Sequence, residues 1–117
     1  MHLVSKDIIE GYISSTKCVS NSYTLYEIVV ITNIINMKNY KIIYKRYSDF
    51  SKLHKKISKH IKELPVFPDK KIKKLDEKVV KERVMRFNFY VKYICMLIVK
   101  KELNDYCKKI ILDFLSY

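Results

Sequence analysis

Along the first 47 residues the apolar positions alternate or run in short β-branched blocks; beyond them they recur every three or four. Residues 8–14 make a short candidate strand, with Ile9 and Ile13 apolar. Ser20, Asn21 and Ser22 are turn chemistry. Residues 23–32 are rich in β-branched and aromatic side chains and predict a long strand. Three Asn in residues 33–39 predict a hairpin loop. Residues 40–47 set Tyr40, Ile42 and Tyr44 against Lys41, Ile43 and Lys45, a third strand. Consecutive strands with short connections predict an antiparallel meander.

The period then changes. Phe50, Leu53, Ile57 and Ile61 form one helical stripe, with Ser48 as the expected N-cap and Asp49 in the first turn. Lys52, Lys55, Lys56 and Lys59 fall off that stripe, on the solvated side. Residues 64–70 hold two prolines and cannot continue the helix, so an extended, polyproline-like turn is expected. Residues 69–78 read as a polar, Lys-rich loop. From about Asp76 a second, amphipathic helix of about 20 residues carries Val80, Val84, Phe87, Val91, Ile94 and Ile98 on one face. Leu103 and Tyr106, then Ile110, Ile111, Phe114 and Leu115, predict two short closing helices. The expected fold is α+β: a three-stranded antiparallel meander packed on a helical subdomain of three to four helices, with a proline-rich loop before the long helix.

At 117 residues and 49% apolar content the chain predicts one domain with one core. One Gly and two Pro exclude a collagenous or low-complexity chain. Three cysteines without CxxC spacing argue for free thiols rather than a disulfide framework or zinc site. His2, Lys6, Asp7 and Glu10 interrupt any apolar start, so no signal peptide is expected. The longest uncharged run, ten residues at 28–37, is far short of the ~20 a membrane span needs.

The formal net charge is +12. Residues 1–37 carry −1, whereas residues 38–63 carry 9 basic against 2 acidic side chains. The excess is therefore concentrated between Lys38 and Arg83, and implies a polyanionic partner. Abundant Lys, Ile, Asn and Tyr also fit an AT-rich coding genome, which accounts for part of the lysine content.

Three signals fall in order within that basic stretch. Lys45-Arg46-Tyr47-Ser48-Asp49-Phe50 spans the strand-to-helix junction; Leu64-Pro65-Val66-Phe67-Pro68-Asp69-Lys70 follows; Arg83 then sits in the long helix, ahead of Phe87 and Tyr90. Together they resemble the PX (phox homology) domain, the phosphoinositide-binding module of the sorting nexins, over essentially the whole chain. The resemblance implies a single PX-like domain over 1–117 and a pocket for phosphatidylinositol 3-phosphate. In it Arg46 would clamp the 3-phosphate, Tyr47 stack under the inositol ring, Lys70 contact the 1-phosphate, and Arg83 read the 4- and 5-hydroxyls. A guanidinium offers a planar fork of donors that suits phosphate or paired hydroxyls; lysine suits a looser point-charge contact. Strict strand alternation would point Arg46 and Tyr47 to opposite faces, so both meet one ligand only if the strand ends there.

Lys71, Lys73, Lys74 and Lys78 are expected to form a non-specific membrane-facing patch. Ile72 and Leu75 either dip into the bilayer interface or pin the loop to the core. The expected role is a non-enzymatic module that recruits its host to endosomal or vesicular membranes from the cytoplasm, in protein trafficking. Its partner is a phosphoinositide-containing membrane, with other phosphoinositides or a protein partner as the alternative. A nucleic-acid binder is disfavoured by the lack of a GXXG loop or RNP pattern. No cofactor, metal or catalytic residue is expected; no Gly-rich phosphate loop or nucleophile–base pair is visible.

Overall fold

The computed structural model describes residues 6–70 and 75–117. Three strands, β1 (Ile9–Val19), β2 (Tyr23–Thr32) and β3 (Tyr40–Arg46), precede three helices, α1 (Tyr47–Ile57), α2 (Glu77–Lys100) and α3 (Asp105–Phe114). The sheet order is β1-β2-β3, antiparallel throughout, as the meander requires.

Strand β1 runs five residues past its expected end. Residues 15–18 are all exposed and mostly polar, so no alternation marks them; pairing with residues 24–27 of β2 holds them extended. The β1–β2 turn places Ser20 and Asn21 at φ 48° and 52°. Three residues, 20–22, join the strands, the Ser22 N–H donates to the Val19 carbonyl at 2.8 Å, and two successive left-handed residues in that turn suit the twist of the flanking strands. A bulge interrupts the pairing between Ile13 and Ser15, and the Asn88 side chain accepts the Ile13 N–H at 2.9 Å.

Tyr26, Ile28 and Val30 of β2 face the helices and are fully buried. On β3 their cross-strand partners are Lys45, Ile43 and Lys41. The less apolar half of β3 therefore points inward, while Tyr40, Ile42 and Tyr44 are exposed. The lysines are accommodated at the margin: Lys41 Nζ lies 3.3 Å from the Tyr117 ring centre and Lys45 Nζ 4.9 Å from that of Phe114. Such cation–π contacts, with the apolar lysine stems, let a basic residue cover a core edge.

Helix α2 crosses β1 at Gly11. A Cβ there would stand 2.5 Å from Val91 Cγ1, so only glycine permits this approach. The centre of the core is aromatic. Phe50 of α1 and Phe87 of α2 stack with centres 3.9 Å apart, and Tyr26 meets both edge-on. Phe114 closes the cluster from α3.

Three helix boundaries also differ from expectation. Helix α1 ends at Ile57, which leaves Ile61 of the expected stripe beyond it. The residue capping α1 is Arg46, not Ser48, because Asp49 Oδ2 accepts the Arg46 N–H at 2.9 Å and draws Tyr47 into the first turn. The two expected closing helices are one: Asn104 caps α3 by accepting the Cys107 N–H at 2.7 Å, which leaves Leu103 in the connection. Asp76 caps α2, accepting the Lys78 N–H at 2.8 Å. Among the described residues no helix is long and apolar enough to cross a membrane.

Candidate functional site

The β3–α1 junction, the start of β2, the proline-rich segment and the first turns of α2 enclose a cavity of about 350 Å³. Arg46, Tyr47, Lys70 and Arg83, all singled out by sequence, line it together. The alternation problem resolves as required: β3 ends at Arg46 and α1 begins at Tyr47, so consecutive residues reach one space.

Each side chain is held by a local cause. The Arg46 guanidinium carbon lies 4.0 Å from the Tyr23 ring centre, while its backbone is pinned by Asp49. Arg83 is 4% exposed and lies over the Tyr47 ring, 4.2 Å from its centre. Its Nε has no hydrogen-bond partner among the described residues. Burying a guanidinium without a counter-ion is costly; a cation–π contact offsets part of that cost.

Tyr47 also anchors the proline-rich segment, since its hydroxyl donates to the Pro68 carbonyl at 2.7 Å. Tyr93 anchors the near end by donating to the Glu63 carbonyl. Between these anchors Phe67 stacks on His54 with ring centres 4.8 Å apart. His54 Nδ1 lies 2.8 Å from the Tyr90 hydroxyl. Lys70 is thus carried by a segment fixed at both ends, yet is itself exposed.

The electrostatics are one-sided. Arg46, Lys52, Lys55, Lys70 and Arg83 line the cavity, and among the described residues no carboxylate does. Asp69 is close enough to act on the Tyr47 hydroxyl, whose pKa rises through burial, against the pull of Arg83 and with a push from Asp69. Among the described residues no cluster of three or more His, Cys, Asp or Glu could hold a metal. The arrangement suits a polyanionic ligand with hydroxyls, held by two guanidiniums and three ammonium groups.

Sequence reasoning placed Lys52 and Lys55 on the solvated side, and both are exposed; what it missed is that this side borders the cavity, with Ser48 and Ser51. The signal was present. Residues 48, 51, 52 and 55 are a polar stripe at helical spacing, beside the apolar one of Phe50, Leu53 and Ile57. Tyr23 and Thr24, from the start of β2, carried no such signal. Leu75 is 38% exposed and outside the core cluster, so it does not pin the loop to the core. Lys71, Ile72, Lys73 and Lys74 lie outside the described residues.

Comparison with known proteins agrees with this geometry. The family described as PX domain matches residues 33–116. Sorting nexin-24 of Homo sapiens is 33% identical over 94 residues, covering 80% of this chain, and the same figures hold for that of Bos taurus. The chain spans about half of those proteins, 49% of their length. A designed CISK-PX domain superposes with a TM-score of 0.68 at 23% identity, over 92% of this chain and 99% of that one. The mouse SNX19 PX domain with bound sulphate ion gives 0.65 at 20% identity, over 94% and 97%. At those identities the two solved structures speak for the fold, and the family match speaks for descent. The chain belongs to the PX domain family, the phosphoinositide-binding module of the sorting nexins.

Proposed function

We propose that the cavity receives the headgroup of phosphatidylinositol 3-phosphate and so recruits the protein to the cytoplasmic face of endosomal or vesicular membranes, in protein trafficking. One observation carries this reading. Five cationic side chains converge on a cavity that no described carboxylate lines, and one of them is a buried arginine with an unpaired donor.

Roles follow from reach and chemistry. Arg46, exposed enough to meet a ligand and steadied by Tyr23, takes the 3-phosphate in two-point contact, with Lys52 and Lys55 adding charge from the α1 wall. Lys70, on the anchored proline-rich segment, meets the 1-phosphate. Arg83, at the buried end, reads the 4- and 5-hydroxyls, and a phosphate there would crowd it. Tyr47 gives the inositol ring an apolar surface where its own ring reaches the cavity. Val66 (71% exposed) and Leu75 present apolar surface on either side of Lys70 in the chain. Lys71, Ile72, Lys73 and Lys74, which follow Lys70 in the sequence, are assigned to non-specific membrane contact by their residue types. Lysines near an anionic leaflet contribute roughly 1 kcal/mol each without reading the headgroup.

The test is sedimentation with liposomes carrying each phosphoinositide isomer at matched total charge, for the wild type and Arg46→Ala. The expected result is a preference for the 3-phosphate that Arg46→Ala removes, while weaker binding to any anionic liposome persists. Equal binding of the wild type to all isomers would reduce the domain to a basic surface.

A further inference from the structure

Behind the cavity lie two buried polar atoms to which the headgroup contacts give no partner. Tyr26 on β2 is fully enclosed and Arg83 on α2 nearly so. Among the described residues neither the Tyr26 hydroxyl nor Arg83 Nε has a hydrogen-bond partner. Buried polar groups are seldom left so, and the exceptions mark sites where function sets the geometry.

The two belong to one wall. Thr24, two residues before Tyr26 on the same face of β2, lines the cavity. Phe87, one turn after Arg83, meets Tyr26 edge-on with ring centres 5.2 Å apart. The guanidinium lies within hydrogen-bonding range of the Tyr26 hydroxyl, where its charge and that contact both oppose the rise in pKa that burial causes. Yet the contact falls short of a well-formed bond, since the Tyr26 hydroxyl and Arg83 Nε both stay unpaired among the described residues. On its other side Arg83 rests on the Tyr47 ring, which fixes the plane of the guanidinium but not its rotation within that plane.

We infer that Tyr26 is a positioning residue for Arg83: its hydroxyl accepts the Arg83 Nε–H once a headgroup draws the guanidinium into place, aiming the two terminal nitrogens at adjacent ring hydroxyls. This inference rests on the headgroup reading above. Two unpaired groups become one charge-assisted hydrogen bond on binding, so satisfying the pair is coupled to ligand capture. Without the hydroxyl, Arg83 keeps its charge and its stacking but loses its rotational anchor. Recognition of the ring hydroxyls should therefore suffer more than attraction to anions in general.

The test uses water-soluble, short-chain phosphoinositides of each isomer, titrated calorimetrically into the wild type, Tyr26→Phe, Arg83→Lys and the double variant. Tyr26→Phe should keep or raise the melting temperature, because it removes an unpaired buried hydroxyl. It should bind the 3-phosphate lipid about tenfold more weakly, discriminate less between isomers, and lose little further affinity when combined with Arg83→Lys. Unchanged affinity, or losses that simply add in the double variant, overturns the inference and leaves the headgroup reading standing. Failure of the wild type to bind any isomer overturns both. Should Tyr26→Phe not fold, the wild-type Arg83 Nε–H resonance decides: slower solvent exchange at lipid saturation supports the inference, and unchanged exchange overturns it.

Discussion

The guanidinium carbon of Arg83 lies 4.2 Å from the centre of the Tyr47 ring, while the Tyr47 hydroxyl holds the Pro68 carbonyl at 2.7 Å. One tyrosine thus links the long helix to the proline-rich segment, and with it both ends of the cavity. Its ring supports the buried cation; its hydroxyl sets the segment that carries Lys70. Removing the two functions separately should give different results. Tyr47→Phe keeps the ring and loses one hydrogen bond, so stability should fall by about 1 kcal/mol and lipid affinity only modestly. Tyr47→Leu also removes the cation–π support and should abolish isomer-selective binding while the domain still folds. Thermal unfolding and liposome sedimentation of both variants check this; equal losses of binding would mean that the loop anchor alone matters.

The lysines of α1 should act through charge. Lys52→Ala and Lys55→Ala should each weaken binding about fivefold at low salt. The loss should shrink as salt rises, because screening already weakens the attraction in the wild type. Binding measured across a salt series distinguishes this from a stereospecific contact, whose loss would persist at high salt.

Gly11 tests the packing account. A Cβ there meets Val91 Cγ1 at 2.5 Å, and Val91 is fully buried and stiff at χ1. Gly11→Ala should therefore destabilise the domain by about 1–3 kcal/mol, and Val91→Ala in the same chain should recover part of that loss. Below the melting transition lipid affinity should be unchanged, since Gly11 is not among the cavity residues. Denaturant unfolding of the single and double variants is the measurement.

Burial pushes the His54 pKa below its ordinary value. The neutral ring is then favoured in the folded state, and between the folded pKa and about 6.5 the unfolded chain binds more protons. This contribution is complete above about pH 6.5 and is lost as pH falls toward the folded value. Melting temperature should accordingly drop on acidification, and His54→Gln should flatten that part of the profile. His54 stacks on Phe67, but the folded ring is still neutral over that interval, so lipid affinity of the wild type should hold there and weaken only once pH falls through the folded value. An identical profile for the variant would assign the drop to other groups.

The sequence made much of this fold legible where one face of an element is buried. Residues 23–32 and the Phe50, Leu53, Ile57 stripe stand where alternation and helical spacing placed them. It was silent where burial does not write a pattern. The second half of β1 is held by pairing alone. Lys41 and Lys45 lie on the inward side because aromatic rings from the C-terminal segment receive them, a long-range fact absent from local spacing. The four ordered motif residues were readable from the family pattern, and the fold brings them to one cavity. Lys52 and Lys55 are solvated as expected, but that their side borders a cavity depends on β2, the proline-rich segment and α2, which local spacing does not report. Tyr26 looked like any core aromatic until its hydroxyl proved unpaired.

The central claim is that this cavity holds a singly phosphorylated inositol headgroup. Amide chemical-shift mapping with soluble, short-chain phosphatidylinositol 3-phosphate tests it most directly, because it reports both binding and place. The account predicts saturable shifts concentrated at Thr24, Arg46, Tyr47, Ser48, Ser51 and Arg83, larger for the 3-phosphate than for the other isomers. Shifts spread evenly over the basic surface, or centred away from the β3–α1 junction, would contradict it.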